Sequence, residues 1–397
     1  MRKVIWVTLI LIASVFIYRI AGNKGEKMLR VEDRSIKRNN VQQVNNTDQN
    51  AALKIDEAYT SLSLILGGMP FNTAGNQTVM NIFNERATKR HVTATEKMWK
   101  TLEGNRLKSM RNWRTNALEN INQSSGNLVY PLGGTDFLYA YTLFPNCDNY
   151  ILTGSESMGK LPQLSELDGK ANTLNAYLGN VRNALRLFSQ RGNFRVRDMQ
   201  KNLKQFGVLP VLSVLLARTD NHISKISYIT LDKNGVYNEI KADSVAKSTN
   251  ITGVMIDFLN VQKVRKQRLV YLKADLNQET IQNTIEQYLK RFDHKITLVK
   301  TGDYMLHQKK YTTIKNALLN QSETIVQDDS GLPFSSFVKD NWSIALYGRY
   351  TGTPAAYKRF YQKDLQQQYR TNKPNALPFS FGYLPQGANL LIAQRKN

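Results

Sequence analysis

The chain has 397 residues, 41% of them hydrophobic, and a formal charge of +23; that is enough apolar material for one large core or two ordinary ones and too much for a disordered chain. Only 21% of residues are charged, so the imbalance comes from scarce acids. Lys and Arg are scattered rather than massed on one element, which argues against nucleic acid and for an anionic membrane or envelope ligand as partner. The single cysteine, Cys147, excludes an internal disulfide, and His91, His222, His294 and His307 lack the spacing of zinc ligands, so no metal site is expected.

At the N-terminus Arg2 and Lys3 precede an apolar run from Val4 to Tyr18, closed by Arg19. Its length suits a signal peptide or a short membrane anchor over residues 1–22 better than a full span of about 20 apolar residues. Both alternatives place the body of the chain outside the cytoplasm, periplasmic or membrane-anchored. Residues 23–49 are rich in Asn, Gln, Lys and Arg and poor in large apolars, which reads as a flexible linker near lipid headgroups.

Residues 50–126 read as helical. Ala52, Ile55, Tyr59, Leu62 and Leu66 recur at steps of three and four before Gly67-Gly68, and a second helical region runs from about Thr78 to Ile121. The pattern changes at Asn127. Leu128 to Tyr130 opens a strand, Asp136 to Phe144 a short helix, and Tyr150 to Thr153 a second strand. Helices are expected over 174–188 and 196–217, the latter broken near Gly207 and Pro210. Ile223–Leu231 and Val236–Ile240 flank Asp232-Lys233-Asn234-Gly235, a hairpin signature. Strands follow at 253–259 and 269–274, with Lys263, Arg265, Lys266 and Arg268 as a basic loop between them. The remainder alternates: helix 277–292, strand 296–299, helix 311–319, strands 324–326 and 343–347, helix 355–369, and an edge strand at 389–393. Residues 127–397 are thus expected to form an α/β domain with a mixed, mostly parallel, Rossmann-like sheet flanked by helices, beneath a helical N-terminal layer.

Three stretches could carry chemistry. In Asn127–Gly159 a strand ends in Gly133-Gly134 and turns into a helix near Asp136, a geometry that presents backbone N–H groups to an anion. Glu156 lies about 20 residues on, where dinucleotide- and methyl-donor-binding folds place the acid that holds ribose hydroxyls. The bland alternative is that Thr135 or Asp136 caps the helix. Asp328 and Asp329 at the end of a strand could bind a hard cation or act as acid and base, or simply form a solvated turn. Arg349, between glycines and among tyrosines, could hold a sugar or phosphate. A doubly wound sheet would bring Asp136, Glu156, Asp328 and Asp329 to one edge. No nucleophile-elbow, Walker or zincin motif occurs in the chain.

Tyr130-Pro131 with Gly134 and Asp136-Phe137-Leu138, then Phe144-Pro145-Asn146 and Gly154-x-Glu156, resembles the leading motif of a family of uncharacterised bacterial exported proteins. Gln327-Asp328-Asp329-Ser330-Gly331, Gly348-Arg349-Tyr350-Thr351-Gly352 and Leu377-Pro378-Phe379 with Gly382-Tyr383 look like its later motifs. The resemblance spans about residues 50–395, implies export, and carries over no catalytic residue or cofactor. Two functions stay open: a non-catalytic binding or structural role at the cell envelope, or an enzyme acting on an anionic or sugar-containing substrate at a carboxylate-lined cleft. A deep cleft at the strand ends would favour the enzyme; a filled sheet edge would favour the binding role.

Overall fold

The computed structural model describes residues 54–70, 76–123, 126–192, 201, 206–384 and 387–396. The apolar segment Val4–Tyr18, the linker and the first half of the helix expected over 196–217 lie outside these residues. Among the described residues no helix is long and apolar enough to cross a membrane.

The chain builds a ten-stranded mixed sheet with helices on both faces. Its strands are β1 Asn127–Tyr130, β2 Asn149–Gly154, β3 Asn221–Leu231, β4 Tyr237–Ile240, β5 Ile251–Asn260, β6 Arg265–Lys273, β7 Lys295–Val299, β8 Ser322–Gln327, β9 Trp342–Gly348 and β10 Asn389–Arg395. They lie in the order β4-β3-β5-β6-β2-β1-β7-β8-β10-β9. The five strands from β6 to β8 run parallel, while β4, β3 and β5 extend one side and β10 and β9 the other through antiparallel pairings. Antiparallel pairs therefore outnumber parallel ones, and the expectation of a mostly parallel sheet is corrected. The Asn-Gly hairpin and the short β5–β6 turn do not stand apart; they join the same sheet and bring their antiparallel ladders with them.

Alternation along each strand explains the two helical layers. Leu128, Tyr130, Tyr150, Leu152, Leu269 and Tyr271 face one side, beneath the N-terminal helices and helices Phe137–Leu143, Ala171–Arg191 and Leu209–Ala217. Val129, Ile151, Val270 and Leu272 face the other, beneath helices Glu279–Leu289, Thr312–Gln321 and Lys363–Asn372. Helix Leu209–Ala217 is buried all round, as its uniformly apolar sequence requires. It starts only after Gly207, whose left-handed φ of 66° separates it from what precedes.

The N-terminal helices are closed by local chemistry. Asp56 caps helix Glu57–Gly67 by accepting from the Tyr59 amide at 2.9 Å, Gly68 ends it in the left-handed region, and buried His91 Nε2 holds the Leu66 carbonyl at 2.7 Å. A carbonyl partner fixes the Nε2–H tautomer, and burial lowers the His91 pKa to about 4.

Three further expectations are corrected. Asn389–Ala393 is not an edge: β10 lies between β8 and β9, and β9 is the edge. The basic stretch after Val261 is not a free loop, since β6 begins at Arg265; Arg265 pairs with Asp148 and Arg268 with Asp257, both at 2.6 Å. The helix expected over 355–369 divides into a 3-10 turn, Ala355–Phe360, and a helix starting at Lys363. Between them Gln362 is extended, with its side chain bonded to the Phe334 amide and the Asp329 carbonyl.

Candidate functional site at the carboxyl ends of the parallel strands

The strand order reverses at β1. The chain runs from β1 to its neighbour β2 over one face, and returns from β6 to β7, on the far side of β1, over the other. Loops leaving β1 and β7 diverge at such a point, which is where open α/β sheets form a crevice. In this protein the crevice is occupied by the chain itself. Lys300, directly after β7, reaches across to Asp136 Oδ2 at 3.1 Å and to the Gly192 carbonyl at 2.6 Å. Its Nζ also sits 4.3 Å from the centroid of the Tyr139 ring. Tyr130 donates to the same carboxylate at 3.3 Å. Lys300 and Asp136 are each only 2% exposed, and burial pushes the Asp136 carboxyl up against the opposing pull of Lys300.

The Gly133–Asp136 turn likewise spends three of its four amides internally. Gly133 N–H bonds to Tyr130 O, Gly134 N–H to Thr153 O at 2.9 Å, Asp136 N–H to Gly133 O and Phe137 N–H to Thr135 O. Asp136 Oδ1 takes the Tyr139 amide as helix cap. The turn is thus a structural joint, which corrects the expectation of an amide cradle for an anion. Gly154, on β2, is part of the same joint. A Cβ there would lie 2.6 Å from Tyr271 Oη, 2.7 Å from Glu156 Oε2 and 3.0 Å from Gly134 Cα. Gly154→Ala is therefore expected to cost about 1–3 kcal/mol by overpacking, read as a lowered urea midpoint with unchanged m-value.

Glu156 follows β2 and lies against Gly134. Its Oε2 accepts from Tyr271 Oη at 3.1 Å, and the same hydroxyl reaches its carbonyl at 3.0 Å. Asp328 and Asp329 follow β8 and tie down the loop after β7. Asp328 Oδ2 accepts from Thr301 N at 2.9 Å and Oδ1 from Ser330 N at 2.9 Å. Ser330 Oγ accepts from Gly302 N at 2.8 Å. Asp329 takes Asn389 Nδ2 at 2.9 Å and the Tyr304 hydroxyl. Burial and the adjacent Asp329 push the Asp328 carboxyl up to about 7; burial also raises Asp329. The loop they hold contains Thr301, Asp303 and Tyr304, all at φ of 52–53°, a region that costs a non-glycine residue about 1–3 kcal/mol each.

The carboxylates do come to one sheet edge, but as an interior rather than a cleft. Asp136 and Asp328 both act on buried Tyr130, and Asp329 adjoins Asp328, while Glu156 belongs to the separate Tyr271 group. Exposures are 1% for Asp328, 2% for Asp136 and 7% for Glu156 and Asp329. Arg349 is not brought to them: it is exposed beyond β9, its amide bonded to Ala388 O at 2.9 Å. Lys300 escaped the sequence reading. Its signal was a lysine closing an otherwise apolar strand, which resembles an ordinary solvated strand end. Among the described residues no group of three His, Cys, Asp or Glu side chains is placed to hold a metal ion.

One open groove adjoins this edge. It measures about 550 Å³ and is lined by Ser155, Ser157, Lys160, Tyr228, Lys273 and Asp275 among others, beside rather than above the four carboxylates. No protein family, curated protein or solved structure matches the chain.

Proposed function

We propose that this is an exported envelope protein with a non-catalytic binding or structural role, built on a Rossmann-like core that has given up its nucleotide crevice. The observation that carries this reading is the Lys300–Asp136 ion pair, which fills the strand-order reversal with charge already neutralised. A general acid or base must reach a proton on a substrate. Asp136, Asp328 and Asp329 instead spend both carboxylate oxygens on the chain's own donors, and Glu156 spends its Oε2 on Tyr271. The parallel strands β6-β2-β1-β7-β8, reversing at β1, support the Rossmann-like description. The apolar run Val4–Tyr18 after Arg2 and Lys3 supports export, and the likeness to exported bacterial proteins agrees with it. The excess of Lys and Arg supports an anionic envelope ligand.

A second reading, an enzyme for an anionic or sugar-containing substrate, is favoured by one feature: the groove of about 550 Å³ with Ser155, Ser157, Lys160 and Lys273 flanking Glu156. Thermal unfolding of the full chain with millimolar nucleotides, nucleotide sugars and sugar phosphates separates the two. A ligand at one hundred times its Kd adds about 2.7 kcal/mol, several degrees in Tm. The non-catalytic reading expects any rise to survive substitution of Glu156 and Lys273 beside the groove. A rise of several degrees that Glu156→Gln or Lys273→Ala removes would transfer the function to the groove.

A further inference from the structure

The edge strand β9 leaves a row of main-chain groups unused. Residues along a strand direct their N–H and C=O alternately to either side. Gly348 N–H turns away from β10, to Asn375 O at 2.8 Å, while Arg349 N–H turns toward it, to Ala388 O. The even-numbered residues of β9 therefore point outward. Trp342 N–H is taken by Val338 O at 3.1 Å and the Leu346 carbonyl faces Asn375 in the parallel bridge at Tyr347, but the N–H and C=O of Ile344 and the N–H of Leu346 have no outward partner among the described residues. The chain pairs with this edge at one point, a parallel bridge between Tyr347 and Asn375, and then leaves it.

Beside the open stretch runs a groove of about 760 Å³. Phe337, Trp342, Ile344 and Leu346 supply its apolar floor, and helix Lys363–Asn372 forms its far wall through Asp364 and Gln368. Lys339, Lys373 and Lys396 stand along it against the single acid Asp364. Exposed edges are normally protected by charge, proline or a covering element. Here the lysines leave both main-chain groups of Ile344 and the Leu346 N–H uncovered and set a sign for whatever reaches them.

We propose that β9 is a docking edge for an extended acidic peptide of a partner protein, which adds to the sheet as an eleventh strand. Main-chain bonds to Ile344 and Leu346 supply the register, alternate apolar side chains enter the groove, and acidic residues meet the three lysines. The charge selects against two other occupants. The chain's own linker is net basic, with Lys24, Lys27, Arg30, Arg34, Lys37 and Arg38 against Glu26, Glu32, Asp33 and Asp48, and a second copy would set lysines against lysines. This edge is separate from the β1–β7 crevice, so the proposal stands independently of whether the groove beside Glu156 binds a ligand.

The test uses the full chain and two eight-residue probes, one alternating Val with Glu and one alternating Val with Lys, followed by fluorescence anisotropy and amide hydrogen exchange. The acidic probe is expected to bind at least ten-fold more tightly, and to slow exchange at Ile344 and Leu346. Lys339→Glu with Lys373→Glu, both exposed side chains, should reverse the preference without altering the fold. Ile344→Pro removes one outward N–H that no described group uses, a change edge strands tolerate, and should weaken binding ten-fold. Equal binding of both probes, unchanged exchange at saturating acidic probe, or protection of these amides by self-association alone would overturn the proposal.

Discussion

Replacing Lys300 by Met is expected to destabilise the fold by about 3–5 kcal/mol, because it strands the Asp136 carboxylate in a buried site without its countercharge. Asp136 is 2% exposed, and its remaining partners are the Tyr130 hydroxyl and the Tyr139 amide, which cannot replace a full positive charge. The second half of the experiment is the double variant Asp136→Asn with Lys300→Met. Asn serves as a helix cap about as well as Asp, so the cap on helix Phe137–Leu143 survives while both charges go. The double variant is expected to recover most of the loss and to lie within about 1–2 kcal/mol of the wild type, since a neutral replacement for a buried ion pair is often tolerated. Urea unfolding of these three proteins and of the single variant Asp136→Asn gives the coupling directly. A Lys300→Met variant as stable as the wild type would mean that the pair does not hold the crevice closed.

Asp328 is expected to make folding stability fall as pH rises from about 4 to 7. Its carboxyl has an ordinary value of 3.8 and is held near 7 by burial and by Asp329, so the folded chain binds its proton more tightly than the unfolded chain. The resulting stabilisation is complete below the unfolded pKa and is lost as pH climbs through the folded one. A shift of this size is on the order of 4 kcal/mol. Two histidines oppose it. Burial lowers His91 and His307 to about 4; their contribution is present above 6.5 and disappears as pH falls toward 4. The total profile therefore mixes signs, but the difference between wild type and Asp328→Asn reports what Asp328 contributes, directly and through its coupling to Asp329. The wild type should be favoured by a few kcal/mol more at pH 4 than at pH 8. A difference that stays flat across this range would show that Asp328 is ionised at neutral pH in spite of its burial.

Much of the local structure is legible in the residues because it depends on neighbours in sequence. The β1 turn, the Asn-Gly hairpin and the break at Gly207 follow from left-handed backbone conformations that few residues other than glycine adopt readily. Period-two alternation marks β1, β2 and β6, whose side chains divide between two cores. Strand order is different. Nothing in Asn389–Ala393 distinguishes an edge from an interior strand, since β10 earns its inner place through ladders to residues some 40 to 70 positions away. The candidate carboxylates show the same divide. Their arrival at one edge follows from the alternation of strands and helices. Their closure depends on Lys300, Tyr271, Tyr304 and Asn389, distant residues whose pairing no local pattern announces.

The place of β10 also bears on the order in which the sheet can be completed. β8 and β9 are made before it, yet neither touches the other; each is joined only to β10 on that side. While Asn389–Arg395 is missing, β9 has no ladder at all and β8 ends the sheet with an exposed flank. During synthesis the outer third of the sheet must therefore wait until the late strand inserts between two earlier ones. Asn389 at the head of that strand bonds to Asp329, so the same insertion fixes the strained loop after β7.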